Sequence, residues 1–506
     1  MGSNRLIGML PRGPIIRRLA ILTLSLCLLF AGFQRTLGPN SHPIPLSPAL
    51  SPRGIPNFKR KVQSWNKLRE LLESNTPGVD APKRLKRVAE VIFDPTADYV
   101  RPDLLYMPDA DVEQMQKVHQ KFVGIIKADT LGLHLVHERG TRGIVSAATS
   151  KYLPTLLISL RMLRQSGTRF PVEVFVASKD DYDATICEDV LPTLNANCIV
   201  MSDILGAHTN YNLERYWLKT FAILFSSFEQ VLWLDADCFP LHDAIELFQS
   251  TPFTEIGLVT WPDFWVSSAS PYFYNITSHP EESLSERAST NGRQLLISKK
   301  THAKTLLLAS YYNYYGPTHY HRLLTQGGPG EGDKESFLAA ASILNQPFYA
   351  VREPIRSIGR RGPDGKMTGY AMVQYSPTED RRLTSGGIDR ARDPNAGEAP
   401  HPFFIHVSQP KINPVDLFML RKKRDRLESP IRGPDGKPTR AWVEEKETVD
   451  SIGGVKVERQ FWAQVVWTAC NIQRMGFKGW KGTRGTCQRA NEYFDAVFPP
   501  EAGSKG

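Results

Sequence analysis

Asp235 and Asp237 end the apolar run QVLWLDAD (Gln230 to Asp237), and their types and spacing suggest a definite chemistry. Paired carboxylates are hard oxygen ligands. Mg²⁺ and Mn²⁺ use one or two of them together with water and phosphate oxygens. In an extended chain, residues two apart project to the same side, so both acids could reach one cation. A metal held there would offset the charge developing on a diphosphate leaving group. The competing explanation is a solvated strand exit, with His242 and Asp243 capping the next helix. The tripeptide itself is uninformative, because Asp109-Ala110-Asp111 repeats it and Asp181-Tyr182-Asp183 repeats the spacing. The copy at Asp109 follows Met-Pro and opens a helical pattern, where acids cap free N–H groups and favour the helix dipole.

Other candidates are scattered along the chain. WPDFW (Trp261 to Trp265) sets Asp263 among aromatics, which suits either a packed turn or a sugar site in which Trp261 and Trp265 stack on a pyranose. GGPGEGDK is not a phosphate-binding loop, since Asp333 stands where the second glycine of that motif belongs and no strand precedes it. Asp333 is expected as a helix N-cap, with Glu331 or Asp333 as a hydroxyl ligand or general base in the functional alternative. His406, in the strand-like FFIHV, is either a core histidine or a third ligand beside the two acids. Asn275-Ile276-Thr277 is a glycosylation sequon.

Positioning these side chains requires a sheet. From Gly143 short apolar runs alternate with longer amphipathic ones: GIVSAA, YLPTLLISLRMLRQS, VEVFVA, CIVM, LERYWLKTFAILFSS and QVLWLD. Strand, helix, strand in this rhythm predicts an α/β fold with a mostly parallel, Rossmann-like sheet and helices on both faces. Right-handed crossovers gather the strand C-termini on one edge, where Asp235 and Asp237 emerge. The polar, Gly/Pro-rich stretch from Gly359 to Pro402 reads as a loop, and a modest helix is expected near Val62 to Ser74.

Leu19 to Phe33 carries no charge, and Arg5, Arg12, Arg17 and Arg18 precede it. That asymmetry predicts a single-pass signal anchor with its N-terminus cytosolic. Fifteen residues make roughly 22 Å of helix at about 1.5 Å each, short but tolerable in thin early secretory membranes. A cleaved signal peptide is the rival, though no small-x-small cleavage site is evident. The expected division is a cytosolic tail (1–18), anchor (19–33), Pro/Ser-rich stem (34–85), catalytic domain (86–420) and C-terminal appendage (421–506). Five of the six cysteines lie beyond the anchor, with Cys187/Cys198 and Cys470/Cys487 as the local pairs and Cys238 left over. The net charge of +10 brings no recognition motif for nucleic acid, so that partner is excluded.

Taken in order, GIVSAA, SLRMLRQSG and PVEVFV (Gly143 to Val176), YWLKTFAILFSSFEQVLWLDAD (Tyr216 to Asp237), WPDFW, QLLISKKTH (Gln294 to His302) and GDKESF (Gly332 to Phe337) resemble the fungal Golgi α-mannosyltransferase family that builds α-1,2- and α-1,3-linked mannose, most of all its α-1,2 branch. The resemblance implies a GT-A-type glycosyltransferase using GDP-mannose and Mn²⁺, type II in the Golgi membrane with its catalytic domain luminal. It implies a mannan or N-/O-glycan acceptor, and membership of a Golgi transferase complex is a further expectation. It assigns Asp235 and Asp237 to the metal and diphosphate, Lys219 to the donor side, and Asp263 and Asp333 to sugar or acceptor. Trp261, Trp265, Gln294 and Glu331 are the remaining expected substrate contacts, and His406 is the added metal ligand. One departure stands out: where relatives carry Glu-Ser-Gly-Gln, this chain has Asn291-Gly292-Arg293-Gln294. The family is similar to retaining enzymes, in which the leaving phosphate can accept the acceptor proton. A UDP-sugar donor and a non-catalytic carbohydrate-binding Golgi subunit are the alternatives.

Overall fold

Runs buried on both faces build the centre of the molecule. The computed structural model describes residues 56–129, 132–206, 216–407, 409–419 and 429–499. Its principal strands are β1 (Glu138–Ala147), β2 (Val172–Val176), β3 (Ala196–Val200), β4 (Phe228–Leu234), β5 (Cys238–Pro240), β6 (Leu258–Pro262), β7 (Thr290–Ser298), β8 (Tyr349–Ala350), β9 (Arg356–Arg361), β10 (Met367–Tyr375) and β11 (Pro402–Val407). A seven-stranded sheet has the order β8-β6-β7-β4-β1-β2-β3. All its pairings are parallel except those of β7, which runs antiparallel to both β4 and β6. The α/β expectation and the mostly parallel sheet therefore hold.

Neighbouring residues of each central strand enter opposite layers, as a period of two requires. Val145, Val231, Trp233 and Leu295 join one core, with α1 (Phe58–Glu73), α2 (Asp109–Ala128), α4 (Tyr216–Phe225), α5 (Ala303–Tyr314) and α6 (Ser336–Ile343). Ile144, Leu232, Leu234 and Leu296 join the other, beneath α3 (Leu153–Gln165). A second, antiparallel sheet, β9-β10-β11-β5, packs with α7 (Gly454–Met475) and α8 (Thr486–Val497) around a third core that includes Phe239, Ile405, Trp442 and Trp462.

Three expectations change. The packed domain begins earlier than the composition shift at residue 85: α1 buries Trp65, Leu68 and Leu72, and the Trp65 indole N–H donates to the Leu205 carbonyl. The segment 359–402 is not a loop, because β10 and a helix (Pro377–Ser385) fill much of it. The C-terminal segment is integral, for α7 buries Phe461, Trp462 and Val465. Both expected disulfides are present, Cys187–Cys198 and Cys470–Cys487, and Cys238 is free and buried. The span Leu19–Phe33 lies outside the described residues. Among the described residues no helix is long and apolar enough to cross a membrane.

Candidate active site

The chain leaves the main sheet at Leu234 and enters the second sheet at Cys238, so Asp235-Ala236-Asp237 is the turn between them. Its backbone is closed by Cys238 N–H donating to Asp235 C=O, 3.0 Å. The extended geometry expected from the sequence is therefore replaced by a turn, and the two carboxylates meet different partners. Asp235 faces β7. Its Oδ2 accepts from the Arg293 guanidinium at 2.7 Å and its Oδ1 from the Trp233 indole at 2.9 Å. Asp237 faces β11, ion-paired with Lys411 and with its Oδ1 3.3 Å from His406 Nε2. His406 stands opposite Cys238 in the β5–β11 ladder, which is how a residue 169 positions from Asp237 reaches it.

Asp333 and Asp263 complete a group of four acids, each held by a cation. Asp333 pairs with Lys219 of α4 at 2.9 Å, and Asp263, just beyond β6, pairs with Lys334 at 3.3 Å. Gly292 makes room for two of these cations: a Cβ there would lie 2.9 Å from Lys219 Nζ and 3.2 Å from Lys334 Cβ. Four acids against four cations make the cluster neutral by internal compensation. Diphosphate or metal binding would redistribute these pairs.

Charge states follow from burial and neighbours. Burial opposes the anionic form of Asp235, but Arg293 and Lys219 outweigh it and hold the carboxyl below its ordinary value. At Asp333 burial prevails over Lys219, and the carboxyl sits above its ordinary value. Burial, reinforced by Arg293, lowers His406 to about 3, so the imidazole is neutral at physiological pH. Neither His406 ring nitrogen has a hydrogen-bond partner, since the 3.3 Å approach to Asp237 lacks hydrogen-bond alignment. A neutral, unengaged imidazole facing a carboxylate suits a ligand pair for a divalent ion. Among the described residues, however, no three His, Cys, Asp or Glu side chains form a ready ligand shell. The arrangement fits an ion held by few protein atoms and completed by phosphate oxygens and water.

Other expected contacts divide sharply. Trp261 is 1% exposed, donates from its indole to the Tyr375 carbonyl at 2.9 Å and packs edge-on against Phe404. It supports the site as core, with only a sliver of its surface reaching the cavity beside Asp263. Trp265 is half-buried, and its carbonyl accepts from Ser289 N–H. Gln294 is fully buried behind the turn beside Cys238, its Nε2 without a partner. Glu331 stands apart in an ion pair with Arg84. Asp333 does not cap α6; its carboxylate is committed to Lys219, and that helix has no side-chain cap. Asp109 and Asp111 lie in the first turn of α2 without capping it, so only the dipole argument survives there. Asp243 accepts from Ile245 N–H at 3.0 Å ahead of the next helix, whose N-cap is Ala244 with no side-chain cap.

Sequence reasoning missed Lys334 and Lys411, and it recorded Arg293 only as a departure. The signal was nearest for two of them: Lys334 follows Asp333 in GDK and Arg293 precedes Gln294 in NGRQ, whereas Lys411 stands five residues beyond His406 in HVSQPK. The lysine partners lie 71 and 174 residues away, so pairing could not be read from spacing.

A profile of the family described as "Mannosyltransferase putative" matches residues 141–295 and 279–376, the region that carries these acids. Two Candida albicans proteins, the α-1,2-mannosyltransferases MNN24 and MNN21, are 32% and 33% identical. Those alignments cover 72% and 69% of this chain, and 60% and 62% of the relatives. The α-1,2-mannosyltransferase MNN2 of Saccharomyces cerevisiae is 30% identical over 66% of this chain and 65% of its own length. The chain thus spans about three fifths of the length of the curated relatives it matches. Among solved structures, the glycosyltransferase GlyE of Streptococcus pneumoniae is 15% identical over 42% of this chain and 45% of that one, with a TM-score of 0.28, an overlap too partial to carry an argument. Through the matched region, with the strand-end acids at its centre, the chain belongs to the fungal mannosyltransferase family.

Proposed function

We propose that the protein is a GT-A-type, retaining glycosyltransferase that moves mannose from GDP-mannose to a mannan or N-/O-glycan acceptor in α-1,2 linkage, with α-1,3 as the alternative. The observation that carries this is the placement of Asp235 and Asp237 on the one turn where β4 ends and β5 begins, with a neutral His406 beside Asp237, in a chain of this family. Asp235, Asp237 and His406 would hold Mn²⁺, which when bound supplies charge compensation to the departing diphosphate. Arg293, 42% exposed and joined to Asp235 through a single nitrogen, keeps donors available for phosphate oxygens. Lys219, held between Asp333 and the Trp233 ring, fixes positive charge beside the same turn. Asp263 carries the acceptor end, because it borders an open cavity that Asp235 and Asp237 do not touch.

In a front-face reaction the acceptor oxygen bonds to the anomeric carbon as the bond to phosphate breaks on the same face. The proton passes to a leaving phosphate oxygen, so the protein works by positioning and electrostatics. Were a base or nucleophile required, Asp263 is better placed than Glu331, which is tied to Arg84. We also place the protein in the Golgi membrane with a type II anchor at Leu19–Phe33 and its catalytic domain luminal; the two disulfides support an oxidising compartment.

A panel of GDP- and UDP-sugars, with and without Mn²⁺ and with an α-mannan oligosaccharide as acceptor, tests the reading when followed by linkage analysis. Mannose transfer from GDP-mannose is expected. Transfer confined to a UDP-sugar would overturn the donor, and no turnover across the panel would favour a carbohydrate-binding subunit.

A further inference from the structure

A cavity with a volume of about 1230 Å³ opens beside Asp263, at the ends of β6 and β8. That exceeds the roughly 300–1,000 Å³ typical of pockets for one drug-sized ligand. One wall comes from outside the sheet: Phe93 N–H donates to Phe264 C=O at 2.8 Å and Val266 N–H to Val91 C=O at 3.0 Å, so Val91–Phe93 lies along the loop that carries Asp263. Its lining mixes apolar and polar groups, with Ile92, Phe264 and Phe348 alongside Asp94, Glu286 and Arg352. Such a surface matches a pyranose, whose C–H face packs on apolar side chains while its rim hydroxyls need donors and acceptors. Ile92 is 69% exposed, a large aliphatic side chain left in solvent at the cavity wall.

Position argues against a nucleotide occupant. The sheet reverses its order between β1 and β4, because β2 and β3 extend one way from β1 and β4 lies on the other side. In open α/β sheets the nucleotide crevice forms at such a switch point. The cavity lies on the other side of β4, beyond β7, where Asp263 leaves β6.

We propose that this cavity is an extended acceptor subsite for an α-linked hexose oligosaccharide, so that the protein reads several sugar units beyond the one that is modified. The inference rests on the glycosyltransferase reading for its orientation toward Asp263. Sugar contacts along Ile92 and Phe348 would raise affinity with acceptor length until the cavity is filled. The segment preceding α2 would then set acceptor preference from the side, without touching the donor.

The test is binding by saturation-transfer NMR and calorimetry on the full chain, using methyl α-mannoside, α-mannose oligomers of increasing length, and GDP. Wild type is compared with Ile92→Asp, at an exposed position, and Phe348→Ala. Affinity is expected to rise with oligomer length in the wild type. Each variant should weaken the long oligomers by about tenfold or more and leave methyl α-mannoside and GDP unchanged. Length-independent binding, or variants that leave the long oligomers unaffected, would overturn the subsite, and a parallel loss of GDP affinity would make the cavity the nucleotide site. Transfer assays on the same samples separate the two readings. Normal transfer with unaffected long-oligomer binding leaves the enzyme standing and the subsite lost; length-dependent binding without transfer from any donor does the reverse.

Discussion

Removing Lys219 should expose how the buried charges of the site are balanced. Lys219 and Asp333 have side chains 9% and 7% exposed, 2.9 Å apart. At that distance, attraction at an effective dielectric near 20 is about 6 kcal/mol. Burial still outweighs it on Asp333, whose carboxyl lies above its ordinary value, so desolvation is the larger effect. Lys219→Met leaves a buried acid near Asp235 and should cost about 3–5 kcal/mol at pH 7.5. Asp333→Asn should cost less, because Asp235 remains near the ammonium. A carboxyl whose folded value is raised favours the folded state when protonated. Its contribution is fullest below the unfolded value and is lost as pH rises through the folded one. The Lys219→Met deficit should therefore shrink toward pH 5. Urea unfolding followed by tryptophan fluorescence and circular dichroism at both pH values measures it. The double variant should recover to within about 1–2 kcal/mol of wild type. Additive losses that do not vary with pH would refute the argument.

Four further outcomes follow from the geometry. Gly292→Ala should cost about 1–3 kcal/mol in unfolding measurements and lower transfer by up to about 10²-fold, since its Cβ would press on Lys219 and Lys334 together. Trp261→Phe should cost about 1–3 kcal/mol by orphaning the Tyr375 carbonyl, with acceptor KM unchanged; a raised KM at unchanged stability would return the ring to the sugar site. Cys238 should resist iodoacetamide in the native protein, because burial raises its thiol well above the usual range, while replacing Cys470 and Cys487 by serine should cost about 3 kcal/mol as a 17-residue separation is released.

Much of this architecture is written in local pattern. VLWL (Val231–Leu234) is apolar at every position and VEVFV at all but the buried Glu173, and burial on both faces follows directly. The direction of β7 is not written there, because QLLIS reads the same whether its neighbours run parallel or antiparallel. Segment 359–402 misleads because β9 and β10 carry Arg360, Arg361 and Gly369 on a hairpin, and polarity alone does not distinguish such a hairpin from a loop. WPDFW misleads in the opposite sense: Trp261 still belongs to β6, so its ring turns into the core, and only from Asp263 onward does the motif reach the site. The acids themselves were legible as a strand exit. Their partners were not, since the Asp235–Arg293 and Asp237–Lys411 pairs join residues 58 and 174 positions apart through the sheets.

The central claim is that the turn at Asp235–Asp237 binds a diphosphate through a divalent ion, and direct titration of GDP tests it. Calorimetry on wild type and Asp237→Asn, with Mn²⁺ and with chelator, requires no acceptor and no turnover. GDP binding is expected to depend on Mn²⁺ in the wild type and to fall by at least about tenfold in Asp237→Asn, with the fold preserved by circular dichroism. Equal GDP affinity in both proteins, or affinity indifferent to Mn²⁺, would contradict it.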